Sequence, residues 1–556
     1  MNNFKKLKVG ILIDDVDQSS LIYNLYKKSL ESKFYEIEYL IIQKKIKRTL
    51  FKELIIFIKR KSFIQLIDQI FFELIKKLEK FFLKNNNDVF KNFFSRYSLS
   101  HFEVKKIYVK PKISSSGYFY SYEGDELKKI EKLKLDLIIR GGKGILKGKI
   151  LNLCRLGILS IHHGNNEIYR GGPPGFWEVF NKEPSSGFVI QRINEELYGG
   201  SVYVKGSIPT KFLYTQNYCN LNTKSIIFLH NTIEKLSLNN DMKFYPKKPF
   251  SHQLYKIPKL HQSILYLIQA FFLCCKKIFG KFLGFSYRWS VAYQFTNDWK
   301  SSVLRKSIII KNPKDRFLAD PFIINRNKST FIFLEEFNYN ENKGVISVYE
   351  IHSEGYQKIG IAIKEKFHLS YPFLIENENN LFMIPETNSA KDIRIYKCIE
   401  FPLKWKLEKV LIAGISSSDT NIIKYNQKFW MFTNIDSSGI GDHSSELHIF
   451  YSDDLLSKNW TPHINNPVIF NSLQARNGGK IIFKNNELLR VFQRQGFNTY
   501  GRSAGISKIK ILTEDQYEEE VIMNIDPNFL ENIKGVHTFS NSENLIAFDF
   551  SKYEKK

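Results

Sequence analysis

Hydrophobic positions along the 556 residues change their period from one region to the next. Residues 9–13 (Val-Gly-Ile-Leu-Ile) form an apolar run, and Leu21, Leu25 and Leu30 follow at helical spacing with Lys27 and Lys28 outward. A buried strand leading into an amphipathic helix opens an α/β unit. Short apolar strands return at 135–139 and 157–161, each running into a glycine- or histidine-bearing turn. Such turns at the carboxyl ends of parallel strands are where α/β proteins place their sites. The apolar run 263–275, followed by Lys276, Lys277 and Lys281 among Phe279, Phe282 and Phe285, predicts an amphipathic or membrane-apposed helix, or a connector between domains. It is shorter than the ~20 residues needed to cross a bilayer, so no transmembrane helix is expected.

The final 250 residues carry a repeat. Five segments share an apolar strand, an Asn/Glu-rich turn and a second apolar strand, with first strands at 322–324, 373–375, 422–423, 481–483 and 538–539. Starts about 50 to 60 residues apart match the period of a four-stranded propeller blade, so five repeats predict five blades. A polar or charged residue stands at the inner edge of each: Asp320, Tyr371, Asp419, Arg476 and His537. In a propeller these side chains converge on one mouth of the central channel.

Composition then narrows the picture. Apolar content of 43% and charged content of 25% exclude disordered and fibrous classes. The net charge of +26 favours a polyanionic partner, an anionic lipid surface or a solvated basic exterior. Residues 44–110 hold 17 Lys/Arg against 6 Asp/Glu, a surplus of 11, interleaved with apolar runs such as 54–58 and 71–75. This reads as a basic helical insertion, over about 41–110, that either covers the sheet or lies on anionic lipid. Because the excess lies beside apolar surface and not in the expected clefts, nucleic acid is an unlikely partner. Five cysteines at irregular spacing indicate neither a disulfide framework nor a metal site. A polar N-terminus without a signal-peptide pattern predicts a cytoplasmic protein, peripheral at the inner face of the membrane.

The segment Gly157-Ile-Leu-Ser-Ile-His-His-Gly, the loop Tyr169-Arg170-Gly171-Gly172-Pro173-Pro174 and the stretch Glu196-Leu197-Tyr198-Gly199-Gly200 resemble the folate-dependent formyltransferase family. The resemblance covers about residues 133–208 and implies a Rossmann-type α/β domain and a 10-formyltetrahydrofolate donor. It implies His162 as the base that takes the proton of an attacking amine. Ser160 stands where the family carries Asn, and Tyr198 where it carries Asp. Serine is a shorter donor to the developing oxyanion, and a tyrosine of pKa ~10 cannot stabilise an imidazolium as a carboxylate does. Glu167, Glu195 and Glu196 are alternative carboxylates. The acidic turn Asp14, Asp15, Asp17 is read as a turn, and no metal is expected.

A second set of motifs, Ala319-Asp320-Pro321-Phe322, His368-Leu-Ser-Tyr371-Pro372, Pro385-Glu386-Thr387 and Trp460-Thr-Pro-His463, resembles the N-terminal propeller of glucosamine inositolphosphorylceramide transferases. That domain is similar in architecture to five-bladed furanosidase-type glycosidases. The match spans about residues 289–525 and stops short of the glycosyltransferase domain that follows in those proteins. Asp320, Glu386 and Asp419 fall on successive blades, and paired carboxylates can cleave or transfer a glycosyl unit. Equally, these acids with His368, Arg476, Gln493 and His537 can hydrogen-bond sugar hydroxyls or cap strands.

The expected architecture is therefore a formyltransferase-like α/β domain over 1–208, a connector with an amphipathic helix over 209–300 and an all-β five-bladed propeller over 301–556. The expected activity is formyl or related acyl transfer to an amino sugar of a surface polysaccharide or glycolipid. His162, Ser160 and Tyr198 are its catalytic set, and Arg170, Gly171, Gly172, Asp320, His368, Tyr371, Glu386, Asp419, Arg476 and His537 bind a glycan, sugar-nucleotide or glycolipid substrate. The alternative is a catalytically silent scaffold carrying a glycan-binding, glycosyl-transferring or hydrolysing propeller.

Overall fold

The apolar runs near the N-terminus become neighbouring parallel strands of one seven-stranded sheet. In the computed structural model, which describes residues 5–44, 62–84, 88–238 and 242–555, the chain divides into two units, Met1–Phe271 and Phe272–Lys556. The strands of the first unit are β1 (Leu7–Ile13), β2 (Tyr35–Gln43), β3 (Lys105–Val109), β4 (Leu137–Arg140), β5 (Ile158–His162), β6 (Ser185–Arg192) and β7 (Ser201–Pro209). Their order across the sheet is β7-β6-β5-β4-β1-β2-β3. Pairing is parallel from β5 through β3 and antiparallel at β5–β6 and β6–β7. A parallel sheet is covered on both faces, which is why β1 and β4 read as continuous apolar runs and bury Val9, Ile11, Leu12, Ile138 and Ile139.

Helices α1 (Ser20–Glu31), α2 (Phe63–Lys84), α3 (Tyr214–Leu238) and α4 (Leu260–Phe282) complete the description needed here. The basic insertion is helical over Phe63–Lys84 and Asp88–Phe94, but Lys105–Val109, expected inside it, is the edge strand of the sheet. The apolar run 54–58 lies outside the described residues. The segment 209–300, expected as a connector, contributes to both units. Helix α3 packs on β6, β7 and α1 of the first unit, while Phe285–Phe295 is a strand of the second.

The expectation that no helix here is long enough to cross a bilayer needs correction. Lys276, Lys277 and Lys281 sit in the last turns, where long stems let a charged head reach water without breaking the helix. Helix α4 therefore continues to Phe282, giving 23 residues with a mean hydropathy of 1.5 over its most apolar window, long and apolar enough to cross a membrane by length and composition.

The second unit consists of five antiparallel sheets. Sheet I holds Arg316–Arg326, Ser329–Asn338, Lys343–His352 and Gly355–Ile363; sheet II holds Ser370–Asn377, Asn380–Glu386, Asp392–Glu400 and Lys404–Ala413. Sheet III holds Ser417–Tyr425, Lys428–Ile435, Glu446–Ser452 and Thr461–Pro462, with Ile469–Phe470 added; sheet IV holds Ile482–Lys484, Glu487–Gly496, Thr499–Leu512 and Tyr517–Ile525. In sheet V the strands Phe285–Phe295 and Leu545–Lys555 pair antiparallel along their whole length, flanked by Ile308–Ile309, Ile533–Gly535 and Phe539–Asn541.

The sequence repeat is the first hairpin of sheets I to IV, and in sheet V it is Phe539–Asn541 with Leu545–Lys555. Four turns are two-residue pairs with both φ values positive: Asn327-Lys328, Glu378-Asn379, Asn426-Gln427 and Asn485-Asn486. That is the type I′ geometry whose twist matches antiparallel strands, and it explains the Asn/Glu-rich signal between the apolar runs. In sheets I to III both strands of the hairpin are largely buried, while the last strand of sheets I, II and IV is mostly exposed or half-exposed.

Sheet IV contains a buried charge pair. The Arg490 side chain is fully buried and donates to both oxygens of Glu519 at 2.6 and 2.7 Å, and to the carbonyl of Gln474 at 2.8 Å. Arg490→Ala is expected to destabilise the second unit by about 3–5 kcal/mol, because an unpaired carboxylate stays buried. Replacing both partners with apolar residues should cost much less. Tryptophan-fluorescence unfolding of the full chain reads both, and equal losses for the single and double variants would reject the account.

Candidate functional site

The first strand of sheets I, II and III breaks its pairing at one place. Ala319 pairs Glu335 and Phe322 pairs Phe333; Ser370 pairs Glu386 and Phe373 pairs Ile384; Ser418 pairs Asn434 and Asn421 pairs Phe432. Two residues therefore oppose one, a bulge that re-aims a side chain. The first bulged residue has left-handed backbone in all three: Asp320 at φ 52°, Tyr371 at φ 47° and Asp419 at φ 51°. This region is costly for residues other than glycine and persists where surroundings impose it.

Here the surroundings are buried hydrogen bonds. Asp549 accepts from the backbone N–H groups of Asp320, His537 and Thr538 at 2.9 to 3.1 Å. Its Oδ1 lies 2.6 Å from His537 Nδ1. Asp320 accepts from Thr538 Oγ1 at 2.7 Å and from the N–H of Tyr371 at 3.2 Å. The Tyr371 phenol donates to the carbonyl of Gly479 at 3.0 Å and accepts from the Gly479 N–H and from Asn421 Nδ2, both at 2.9 Å. Ligating atoms of Asp320, His537 and Asp549 come within 4.8 Å of one another, the one cluster of metal-ligand type among the described residues.

Above this network lies a cavity of about 280 Å³. Asp320, Glu335, Glu386, Asp419, Arg476 and His537 supply its polar lining, with His368 beside Glu335 and Trp289, Phe317, Phe337 and Tyr500 as aromatic walls. Arg476 Nε donates to Asp419 Oδ2 at 2.7 Å, Gln493 Nε2 donates to the same oxygen at 3.0 Å, and Arg476 stands 3.8 Å from Glu386. His537 stacks on Trp289 with ring centroids 3.9 Å apart.

Burial dominates the titration. It raises Glu386 to about 8, with Asp419 adding to the rise and Arg476 opposing it. It raises Glu335 well above the carboxylate range, with Asp320 and Glu386 adding to the rise. It raises Asp320 to about 6 against the opposing pull of His537. Burial alone would lower His537, but Asp549 and Asp320 hold it above its ordinary value. At neutral pH the cavity thus presents Glu386 as a protonated donor, with the raised Glu335 carboxyl beside it, next to an Asp419–Arg476 ion pair and between aromatic faces. Such a lining can hydrogen-bond sugar hydroxyls, stack against a ring and, through a protonated carboxyl, act as a general acid.

Of the glycan-binding residues expected from sequence, Asp320, His368, Glu386, Asp419, Arg476 and His537 line this cavity. Tyr371 does not: its phenol reaches Gly479 and Asn421. Glu335 was not singled out. It belongs to a second set of equivalent positions, on the second strand of each hairpin: Glu335, Glu386, Asn434, Gln493 and Asp549. The signal was available, since each of these polar residues ends an apolar run (331–334, 381–385, 429–432, 491–492, 545–548).

In the first unit, His162 ends β5 and is half-buried. An Nε2–H donated to the carbonyl of Tyr169 at 3.3 Å leaves Nδ1 as the proton acceptor. The Tyr198 ring lies edge-on at 5.1 Å. Burial lowers His162 to about 4 and raises the Tyr198 phenol, so both are neutral at pH 7. The Ser160 hydroxyl donates to Ile161 at 3.4 Å. The alternative carboxylates are engaged elsewhere, Glu167 by Lys205, Glu195 by the N–H of Gly148 and Glu196 by Lys247. Asp14 accepts from Gln43 and from the N–H of Lys143.

A larger cavity, of about 990 Å³, is lined by Gly171, Gly172, Pro173, Tyr198, Tyr255 and, from α2, Phe72, Lys76, Lys77 and Lys80. His162, Ser160 and Arg170 do not border it. The Arg170 guanidinium stacks on Phe250 at 3.8 Å and donates to the carbonyl of His252 at 2.5 Å. Gly171, at φ 99°, is required by backbone contact, because a Cβ there would meet the Tyr255 carbonyl oxygen at 2.0 Å.

Comparison with known proteins agrees with two sources of sequence. Residues 302–546 match the family model described as glucosamine inositolphosphorylceramide transferase 1, N-terminal. The rice protein glucosamine inositolphosphorylceramide transferase 1 (Oryza sativa subsp. japonica) is 37% identical over 208 residues, which is 36% of this chain and 27% of that protein. The chain thus matches about a quarter of that relative's length. A methionyl-tRNA formyltransferase from Lactobacillus delbrueckii subsp. bulgaricus is 29% identical over 90 residues, 16% of this chain and 29% of that one. Among solved structures, a family 117 glycoside hydrolase from Zobellia galactanivorans aligns over 48% of this chain and 90% of its own, at 11% identity and a TM-score of 0.31. The chain is similar to a transferase of the inositolphosphorylceramide class in its C-terminal part and to formyltransferases elsewhere.

Proposed function

We propose that the protein is a transferase of surface-polysaccharide or glycolipid synthesis. The second unit is a closed five-bladed propeller that holds a sugar, and the first transfers a formyl or related acyl group to an amino sugar. The observation that carries sugar recognition is the cavity where Glu335 and Glu386 meet the Asp419–Arg476 pair between Trp289, Phe317 and Tyr500. Its volume of about 280 Å³ lies just below the ~300–1,000 Å³ of ordinary ligand pockets and suits one sugar ring.

In the acyl-transfer reading a 10-formyltetrahydrofolate-type donor supplies the activated formyl carbon. The first unit's cavity of about 990 Å³, with Tyr198, Tyr255 and the Gly171-Gly172 backbone on its wall, has the size and lining for a flat aromatic donor. His162, neutral at pH 7, takes the amine proton at Nδ1. A second reading, a silent first unit beside a propeller that binds, transfers or hydrolyses a glycosyl unit, is favoured by one observation. His162 faces the Tyr198 ring where a carboxylate would orient it, and it does not border the cavity.

Three outcomes follow. Glu386→Gln and Asp419→Asn should each weaken sugar binding by up to about tenfold on a glycan array, the scale of about one hydrogen bond, while leaving the fold intact; unchanged binding would reject the pocket. Calorimetry should detect a reduced folate, and His162→Ala should abolish formylation of an amino sugar without abolishing that binding. No folate binding at all would remove the acyl-transfer reading in favour of the second. The third outcome concerns pH. Glu386 keeps in the folded state a proton that the unfolded chain releases above 4.5, so its contribution is present in acid and lost as pH rises through about 8. Glu335 and His537 are raised as well and act with the same sign. The melting midpoint of the second unit should therefore fall between about pH 5 and pH 9, and Glu386→Gln should flatten the slope.

A further inference from the structure

Helices α2 and α4 are tied to each other by the polar residues that amphipathic helices ordinarily show to water. Asp68 of α2 is buried and accepts from the N–H of Leu260 at 2.7 Å. Glu79, two to three turns further along α2, is also buried; it accepts from the Tyr266 phenol of α4 and from the N–H of Thr215 at 2.6 Å. The two contacts advance together along both helices, so α2 and the first half of α4 lie side by side, running the same way. On α4 the residues turned toward the first unit are Ser263, Tyr266 and Ala270.

What remains outward is apolar. On α2, Ile70 is 60% exposed, Leu74 55% and Phe81 65%; on α4, Ile268 is 46% exposed and Phe271 64%. Single exposed apolar side chains need no explanation, but a contiguous face on two adjacent helices marks an interaction surface. Its charge is one-sided. As far as Phe271 helix α4 contains no Asp or Glu, and α2 carries Lys76, Lys77, Lys80 and Lys84. Of the three acids on α2, Asp68 and Glu79 are buried, and Glu73 is paired with Lys76 at 2.5 Å. An aqueous protein partner would leave these lysines to be matched by acids. A leaflet offers both acyl chains for the apolar face and anionic headgroups for the lysines.

We infer that the α2–α4 pair lies in the plane of an anionic leaflet, such as the cytoplasmic one, with its apolar face among the acyl chains and its lysines at the headgroups. Although α4 is long enough to cross a bilayer, Asp68 and Glu79 hold its first half along α2, and a spanning α4 would strip both buried carboxylates of the Leu260 and Tyr266 donors. This docking does not depend on which reaction the protein performs.

Flotation of the full chain tests it, with vesicles of phosphatidylcholine alone and of phosphatidylcholine with an equal part of phosphatidylglycerol. The protein should float with the second and stay largely in the soluble fraction with the first. Ile70→Ser with Leu74→Ser and Phe81→Ser, all at exposed positions, should weaken vesicle binding by at least about tenfold, given ~1.5–3 kcal/mol for each large apolar side chain buried. Lys80→Glu with Lys84→Glu should remove the preference for phosphatidylglycerol. Equal flotation on both compositions, no flotation, or unchanged binding of the serine variant would overturn the inference. So would resistance to extraction by alkaline carbonate, the mark of a spanning helix.

Discussion

The second unit depends on one requirement: each carboxylate and backbone group sealed beneath its cavity must find a partner, because none can reach water. Asp549 is where that requirement is densest. Its two oxygens take the N–H groups of Asp320, His537 and Thr538 and face the His537 ring, so sheet V is fixed to the first strand of sheet I. Asp320 passes the constraint to Tyr371 on sheet II, and Tyr371 passes it to Asn421 on sheet III and Gly479 before sheet IV. The left-handed backbone at Asp320, Tyr371 and Asp419 is imposed by this chain of bonds, since each bulge turns a donor or acceptor toward the next sheet.

Chemistry is left over where the requirement is met with groups to spare. Asp320 and Asp549 are saturated and behave as structure. Burial pushes Glu386, on the second strand of its hairpin, up to about 8 and raises the equivalent Glu335, while Asp419 pairs with Arg476. The same lack of solvent that makes the network rigid therefore sets the protonation of the cavity lining. In the first unit burial works the other way: enclosure lowers His162 and His163, to about 4 and about 3, and keeps both imidazoles neutral.

How much of this was legible follows from the range of each signal. Parallel strands, the five hairpins and their turn residues are local patterns of period and turn chemistry, and Asp320, Asp419 and His537 stood out as polar residues beside apolar runs. Tyr371 occupied the equivalent position and was read with them, yet its long rigid phenol reaches past the cavity to Gly479. Glu335 went unseen because it neighbours Glu336, and only the strand's alternation separates them: Glu336 turns to Arg316, Lys358 and Ser347, and Glu335 to the cavity. The apolar run 263–275 falls short of a bilayer by itself, and the turns that carry Lys276, Lys277 and Lys281 bring helix α4 to 23 residues. The separation of His162 from the large cavity depends on how the loop 169–174 crosses Leu254–Tyr255, a contact more than eighty residues away in sequence.

The pairing of Phe285–Phe295 with Leu545–Lys555 also bears on how the protein is made. The earlier strand leaves the ribosome some 250 residues before its partner, about 12 to 50 seconds at ordinary synthesis rates of ~5–20 residues per second. Throughout that interval sheets I to IV can form in order, each from neighbours in sequence, while Phe285–Phe295 lacks the strand that runs along its whole length. Sheet V, which supplies Asp549 and His537 to the network, is thus the last to assemble. An unfinished chain already carries Asp320 but not its partners Thr538 and Asp549, so the cavity matures only when synthesis has passed residue 549.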